Sequence, residues 1–266
     1  MSILVQISDT HFGTDQAPVV AALTRLIGEI GPDVIVLSGD ITQRARRTQF
    51  DAARTFMDGL GTPFVAVPGN HDIPLFNLPA RMFAPYANYI RAFGRNLEPE
   101  FASDAFLILC TNTTRPSRHI DGEISPRQID SVAKRLSHAK RDQLRIVVTH
   151  QPVHAIRAED RSNLLHGHEQ AIRAWSSAGA DIIMGGHIHL PYIRPITERF
   201  VDLPRKLWAV QAGTAVSWRV RDNVPNSINL LRHSARELVC KVERWDFDAV
   251  ANAFRCIKLE NLELDR

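Results

Sequence analysis

Along the first two-thirds of the chain, short apolar runs alternate with stretches of helical period, and most of the runs end in a cluster of polar side chains. Residues 3–7 read as a short buried strand that ends in Ser8-Asp9-Thr10-His11. Residues 19–30 follow with Leu23, Leu26, Ile27 and Ile30 at helical spacing, and Gly31-Pro32 stops the helix. A second strand over 34–37 ends in Ser38-Gly39-Asp40. A helix over about 48–60 turns Phe50, Ala53, Phe56, Met57 and Leu60 inward and closes at Gly61-Thr62-Pro63. The third strand, 64–67, delivers Pro68-Gly69-Asn70-His71-Asp72. Strand, helix, strand at a period of about thirty residues predicts right-handed crossover units and a largely parallel α/β core.

Residues 73–103 are less regular. Pro74, Pro79, Pro85 and Pro99 interrupt them, and a single helix is expected over 86–93, so the stretch reads as an insertion over the site. A strand over 105–110 leads to a loop with Arg115, Arg118 and His119. Ser125 as N-cap with Pro126 behind it starts a helix that runs to about residue 139. A strand over 145–148 ends in Thr149-His150, and a helix over 169–177 precedes a strand over 181–184 that ends in Gly185-Gly186-His187-Ile188-His189. Beyond Leu190 the helices stop. Strand-like runs at 207–211, 227–231, 237–242 and 254–259 predict an antiparallel sheet added to the parallel core. With no repeats or linker-like tracts, residues 1–266 are expected to form one domain.

Composition narrows the class. The chain has 266 residues, 44% of them hydrophobic and 23% charged, as a soluble globular protein does. A net charge of +3 gives no reason to expect a nucleic-acid or membrane partner. Cys110, Cys240 and Cys256 lack metal-type spacing and fit unpaired thiols in a reducing compartment. No apolar run approaches the roughly 20 residues of a membrane span. The first residues carry no basic region or cleavage site, so a cytoplasmic protein is expected.

Five of the strand-like runs end in residues that bind metals: Asp9 and His11, Asp40, Asn70 with His71, His150, and His187 with His189. Ligands of open α/β sheets sit beyond the carboxyl ends of the strands, so these residues are expected to converge. One Asp-x-His or one His-x-His is a weak signal, but five such ends in order are a strong one. Imidazoles with a few carboxylates suit Mn, Fe, Co or Zn better than Mg or Ca.

This series resembles the calcineurin-like metallophosphoesterase superfamily over about residues 1–190. Asp9-x-His11, Gly39-Asp40, Gly69-Asn70-His71-Asp72, His150 and Gly186-His187-x-His189 match every block of its pattern. Within it the chain is most similar to bacterial class III cyclic-nucleotide phosphodiesterases, a likeness extended by Gly213-Thr214-Ala215, Arg219, Arg221 and Pro225-x-Ser227. The resemblance implies a four-layer α/β/β/α sandwich of mixed sheets flanked by helices, with residues 200–266 supplying mainly strands of the second sheet. It implies two divalent transition-metal ions, Mn or Fe foremost and Zn or Co as alternatives. Asp9, His11 and His189 would hold one ion and Asn70, His150 and His187 the other, with Asp40 between them.

In that scheme a bridging hydroxide attacks phosphorus, and the site retains a charge of about +1 to receive a phosphate. His71, free of the metals, is expected to stabilise the transition state or protonate the leaving oxygen. Asp72 either holds the His71 ring in one tautomer or is a plain turn or N-cap carboxylate. The implied activity is hydrolysis of a small phosphodiester, a 3′,5′-cyclic nucleotide first. Other diesters such as glycerophosphodiesters, or a monoester, are the alternatives. A homodimer fits the resemblance. A scaffold that had lost the chemistry would lack ligands, and none is missing.

Other residues have plainer readings. His138 belongs at a solvated helix end, and His119 and His233 are expected in loops or on the surface. His166 and His168 need not bind a third metal. His154, four residues past His150, and Arg219 are candidates for substrate contact, with Arg115, Arg118 and Arg221 behind them. Tyr86, Tyr89, Phe93 and Trp218 are expected in the core more than in a base-stacking platform.

Overall fold

Each apolar run forms a strand, and the strands divide between two six-stranded mixed sheets in this computed structural model, which describes residues 1–235 and 237–265. The first sheet takes β1 (Ser2–Ile7), β2 (Val34–Ser38), β3 (Phe64–Val67), β10 (Ser227–His233), β11 (Val239–Asp248) and β12 (Ala253–Glu263). The second takes β4 (Glu100–Ala102), β5 (Phe106–Cys110), β6 (Leu144–Val148), β7 (Ile182–Gly185), β8 (Tyr192–Pro195) and β9 (Trp208–Gln211). In the first the order is β12-β11-β10-β1-β2-β3, with β1, β2 and β3 parallel and β10 antiparallel to β1. In the second it is β4-β5-β6-β7-β9-β8, parallel from β5 to β9 with antiparallel strands at both edges.

The period-two alternation of each strand explains the layers. Leu4, Val34, Val36 and Val67 face Phe106, Ile108, Ile146 and Met184 in a core between the sheets. Their neighbours Val5, Ile7, Ile35 and Leu37 point the other way, under α1 (Ala17–Ile30) and α2 (Arg47–Gly59). Leu107, Leu109, Val147 and Ile183 pack under α5 (Pro126–Ser137) and α6 (His168–Ala178). Strands buried on both faces must be apolar throughout, which is why these runs stand out in the sequence. The result is helix, sheet, sheet, helix. At its polar centre Gln6 reaches from β1 to the Gly185 carbonyl at 3.0 Å and accepts from Asn229, so the buried amide is satisfied across the two sheets.

Three expectations are revised. The trailing strands do not form a sheet of their own: β9 joins the second sheet, while β10 to β12 extend the first from β1. Within 73–103, α3 (Leu78–Phe83) forms besides α4 (Ala87–Phe93), and β4 pairs with β5. No residue of α3 is buried: its apolar Leu78, Met82 and Phe83 are exposed, and at six residues it is too short to show a helical period. His233, expected at the surface, is fully buried in β10 beside Phe106. Among the described residues no helix is long and apolar enough to cross a membrane, and Cys110 and Cys256 are free thiols.

Candidate metal centre

The loops after β1, β2 and β3 meet those after β6 and β7 at the carboxyl ends of both sheets. Backbone bonds lock them together: Asp9 N–H donates to the Gly39 carbonyl and Gly186 N–H to the His150 carbonyl. Asp9, His11, Asp40, His187 and His189 all adopt left-handed φ, between 42° and 75°. Non-glycine residues hold that conformation at a cost of order 1–3 kcal/mol each, and only where the surroundings enforce it. Gly69 allows the closest approach, since a Cβ there would lie 2.1 Å from the Asp40 backbone nitrogen.

Two sets of ligand atoms result, and Asp40 belongs to both. Asp9, His11, Asp40 and His189 form one group and Asp40, His150 and His187 the other, with the donor atoms of each within 4.8 Å of one another. His189 Nε2 lies 3.3 Å from Asp9 Oδ1 and 3.1 Å from His11 Nε2. His150 Nε2 lies 3.2 Å from Asp40 Oδ1 and 3.3 Å from Asn70 Oδ1, which adds Asn70 to the second group.

The donor set fits a pair of cations. A backbone carbonyl can only accept, so His150 Nδ1 must donate to Ser38 O, and His189 Nδ1 to Arg219 O. Their Nε2 lone pairs therefore face carboxylate and amide oxygens that are also acceptors. Only a proton or a cation relieves that opposition. A carbonyl behind each imidazole is also how metal-binding histidines are commonly held. His187 Nδ1 is buried without a hydrogen-bond partner, as a ligand atom would be.

The charges are consistent. Burial raises the Asp40 carboxyl, but the charges of His150, His71 and His11 hold it well below the usual carboxylate range. Burial also opposes ionisation of Asp9, yet His189 and His150 keep it low. His150 is pushed up to about 9: burial works against its charge, and Asp40 and Asp9 outweigh it. Burial brings His11 down to about 3 and His187 to about 4. Both carboxylates thus stay ionised, and two of the imidazoles stay neutral, as metal binding requires.

His71 sits at the rim, its ring centroid 4.9 Å from that of His11. Its Nδ1 donates to the Gln43 carbonyl at 3.1 Å, so Nε2 is the nitrogen that can exchange a proton. The tautomer-fixing role considered for Asp72 is therefore filled by Gln43. Asp72 is buried and accepts from the N–H groups of Ile41, Thr42 and Gly69 and from the Thr42 hydroxyl. It staples the β3 loop to the β2 loop. Burial and the Asp40 charge push it up to about 7, against those donors, which favour the carboxylate.

Arg219 lies at the site: its carbonyl orients His189 and its guanidinium donates to Gln43 Oε1 at 3.0 Å. His154 does not join them. Its ring packs on Tyr192, and the charges around it are Glu198, Arg199, Arg194 and His168. Arg115, Arg118 and Arg221 are tied to Gln128, Glu123 and Asp160. Tyr86, Tyr89 and Phe93 pack in or against the core, whereas Trp218 is exposed. His138 caps α5, and His168 Nδ1 bonds the Leu165 carbonyl. Sequence reasoning missed Gln43, which holds His71 through its carbonyl, a group with no signature, and Arg219 through its side chain.

Residues 3–191 match the family described as calcineurin-like phosphoesterase, and the span contains every residue of the two ligand groups. The chain belongs to the calcineurin-like phosphoesterase family. This makes it a metallophosphoesterase, a hydrolase of phosphoesters in a family that uses a divalent metal pair. It is 26% identical over 211 residues to a probable cyclic nucleotide phosphodiesterase of Synechococcus sp., covering 72% of this chain and 74% of that protein. It is 35% identical over 83 residues to a glycerophosphodiester phosphodiesterase of Enterobacter lignolyticus, covering 26% of this chain and 29% of that one. A dimetal phosphatase from Danio rerio shares the fold at a TM-score of 0.67 and 13% identity, covering 99% of both chains. A purple acid phosphatase from yellow lupin does so at 0.72 and 14%, with 99% of this chain matching 54% of the lupin chain. The four-layer calcineurin-like fold is therefore present.

Proposed function

We propose that this calcineurin-like phosphoesterase is a metal-dependent phosphodiesterase of small substrates, with a 3′,5′-cyclic nucleotide as the first substrate to test. The observation that carries the reading is the pair of ligand groups sharing Asp40. Asp9, His11 and His189 would hold one cation and Asn70, His150 and His187 the other, with Asp40 serving both. Two bound cations supply positive charge for the phosphate and an acidified water. Manganese or iron suits this donor set.

The chain's own residues do the rest. His71, oriented by Gln43, holds or delivers a proton at Nε2 beside the leaving oxygen. The Arg219 guanidinium, anchored on the same glutamine, contributes a cation at the rim. The Synechococcus relative supports the cyclic nucleotide, and the short match to a glycerophosphodiester enzyme supports a broader diesterase.

Chelator-stripped protein assayed with and without manganese on 3′,5′-cyclic AMP and bis(p-nitrophenyl) phosphate tests the proposal. Metal-dependent turnover of both is expected. Turnover of the synthetic diester alone would remove the cyclic nucleotide and keep the diesterase. Metal-dependent cleavage of p-nitrophenyl phosphate with both diesters inert would make the protein a monoesterase.

A further inference from the structure

The loop whose carbonyl holds His71 also presents two guanidinium groups, and its backbone is pinned on every side. Ile41 and Thr42 donate to Asp72, Ala45 N–H donates to Thr42 Oγ1, and Asn88 donates to the Ala45 carbonyl. The N–H groups of Arg44 and Arg46 both donate to Gln49 Oε1. So rigid a loop fixes where Arg44 and Arg46 leave the backbone. Both side chains are exposed, and among the described residues neither is paired with a carboxylate, unlike Arg118 and Arg221 nearby.

These two arginines line a cavity of about 340 Å³ whose other walls include Leu75 and Phe76 from the insertion. The Arg44 guanidinium lies over the Phe76 ring, 5.4 Å from its centroid. Arg44 and Leu75 also line the small pocket that contains Asn70 and His71, so the cavity opens directly beside the metal centre. Its volume is within the range of small-ligand sites. Guanidinium groups without a protein acceptor suit a phosphate, which they bind through paired charge-assisted bonds.

We propose that this cavity is a subsite for one arm of the diester and selects an arm that carries a further phosphate. The apolar body of the arm lies against Leu75 and Phe76, and the distal phosphate is held by Arg44 and Arg46. The inference rests on the phosphodiesterase reading and ranks its substrates. A cyclic nucleotide occupies the centre without engaging the arginine pair, whereas a nucleoside diester bearing a distal phosphate uses both.

Thymidine 5′-phosphate and thymidine 3′,5′-bisphosphate differ only in such a phosphate. Calorimetric titration of the manganese-loaded protein with each reads the subsite without turnover. The wild type is expected to bind the bisphosphate about tenfold tighter or more. The ratio should fall to near one in Arg44→Ala/Arg46→Ala, and below one in Arg44→Glu/Arg46→Glu. A wild-type ratio near one, or a ratio retained in the double alanine variant, overturns the proposal. Hydrolysis of bis(p-nitrophenyl) phosphate is measured alongside. An inert diester with the binding ratio intact would defeat the diesterase reading and leave an anion subsite beside the metals. Turnover with a ratio of one would defeat the subsite alone.

Discussion

The Asp72 carboxylate accepts four hydrogen bonds in a site almost closed to water. Asp72→Ala strands three backbone N–H groups and a hydroxyl, and buried donors without partners cost about 1–3 kcal/mol each. A stability loss of about 3 kcal/mol or more is expected from urea denaturation. Since the His71 ring is held by the Gln43 carbonyl and Asp72 by the β2 and β3 loops, Asp72→Asn, which keeps an acceptor, should leave the pH–rate profile in place. A moved profile would restore the tautomer-fixing role. Asp40→Ala removes the residue shared by both candidate ligand groups, and loss of turnover by about 100-fold or more is expected with the fold retained on circular dichroism. Wild-type activity in that variant would end the shared-ligand assignment. The candidate metal ligands were legible because each closely follows an apolar run. Most partners of Asp72 and His71 were not, because the N–H groups of Ile41 and Thr42 and the Gln43 carbonyl are backbone groups some thirty residues away in another loop, and a backbone group has no residue type.

At the level of elements, the site depends on strand ends approaching more closely than side chains would allow. Gly186, just past β7, lies against β1: a Cβ there would sit 2.2 Å from Ser8 Oγ and 2.5 Å from Asp9 Oδ2. Those two atoms are themselves hydrogen-bonded at 2.6 Å, so neither can yield without the other. Gly186→Ala should displace the Asp9 carboxylate and weaken binding at the site proposed for Asp9, His11 and His189. An affinity loss of about 10–100-fold at one site, with the second site nearer wild type, is the outcome to look for by metal titration. Equal loss at both would mean that the strand ends move as one. The strands of this region were readable within a residue or two because burial on both faces makes them continuously apolar. The four-residue β8 and three-residue β4 were not, since Arg194 in the one and Glu100 in the other break the apolar run that marks β3. Nor could the sequence say which sheet β10 would join, because its pairing with β1 spans most of the chain.

For the whole molecule, the candidate metal centre would also be a clamp. Asp9, His11, Asp40 and Asn70 follow strands of the first sheet, and His150, His187 and His189 follow strands of the second. Cations bound only by the folded state stabilise it by mass action, about 2.7 kcal/mol for each site at a hundred times its Kd. Two such sites should raise the thermal midpoint by about 10 °C or more over chelated protein, at roughly 2–4 °C per kcal/mol for a chain of this size. The shift should depend on pH with a definite sign. In chelated protein His150 titrates near 9, above its ordinary value of 6.5, so its charged form adds stability below pH 6.5 that is lost as pH rises through 9. Metal must displace that proton, so binding strengthens over the same interval. His11 and His187, held near 3 and 4, are neutral throughout this window and contribute nothing to it. Metal-induced stabilisation, followed by scanning calorimetry between pH 6.5 and 9, should therefore grow steadily with pH. A gain that is flat across the interval would mean that binding displaces no proton from His150, or from His189, which is also raised.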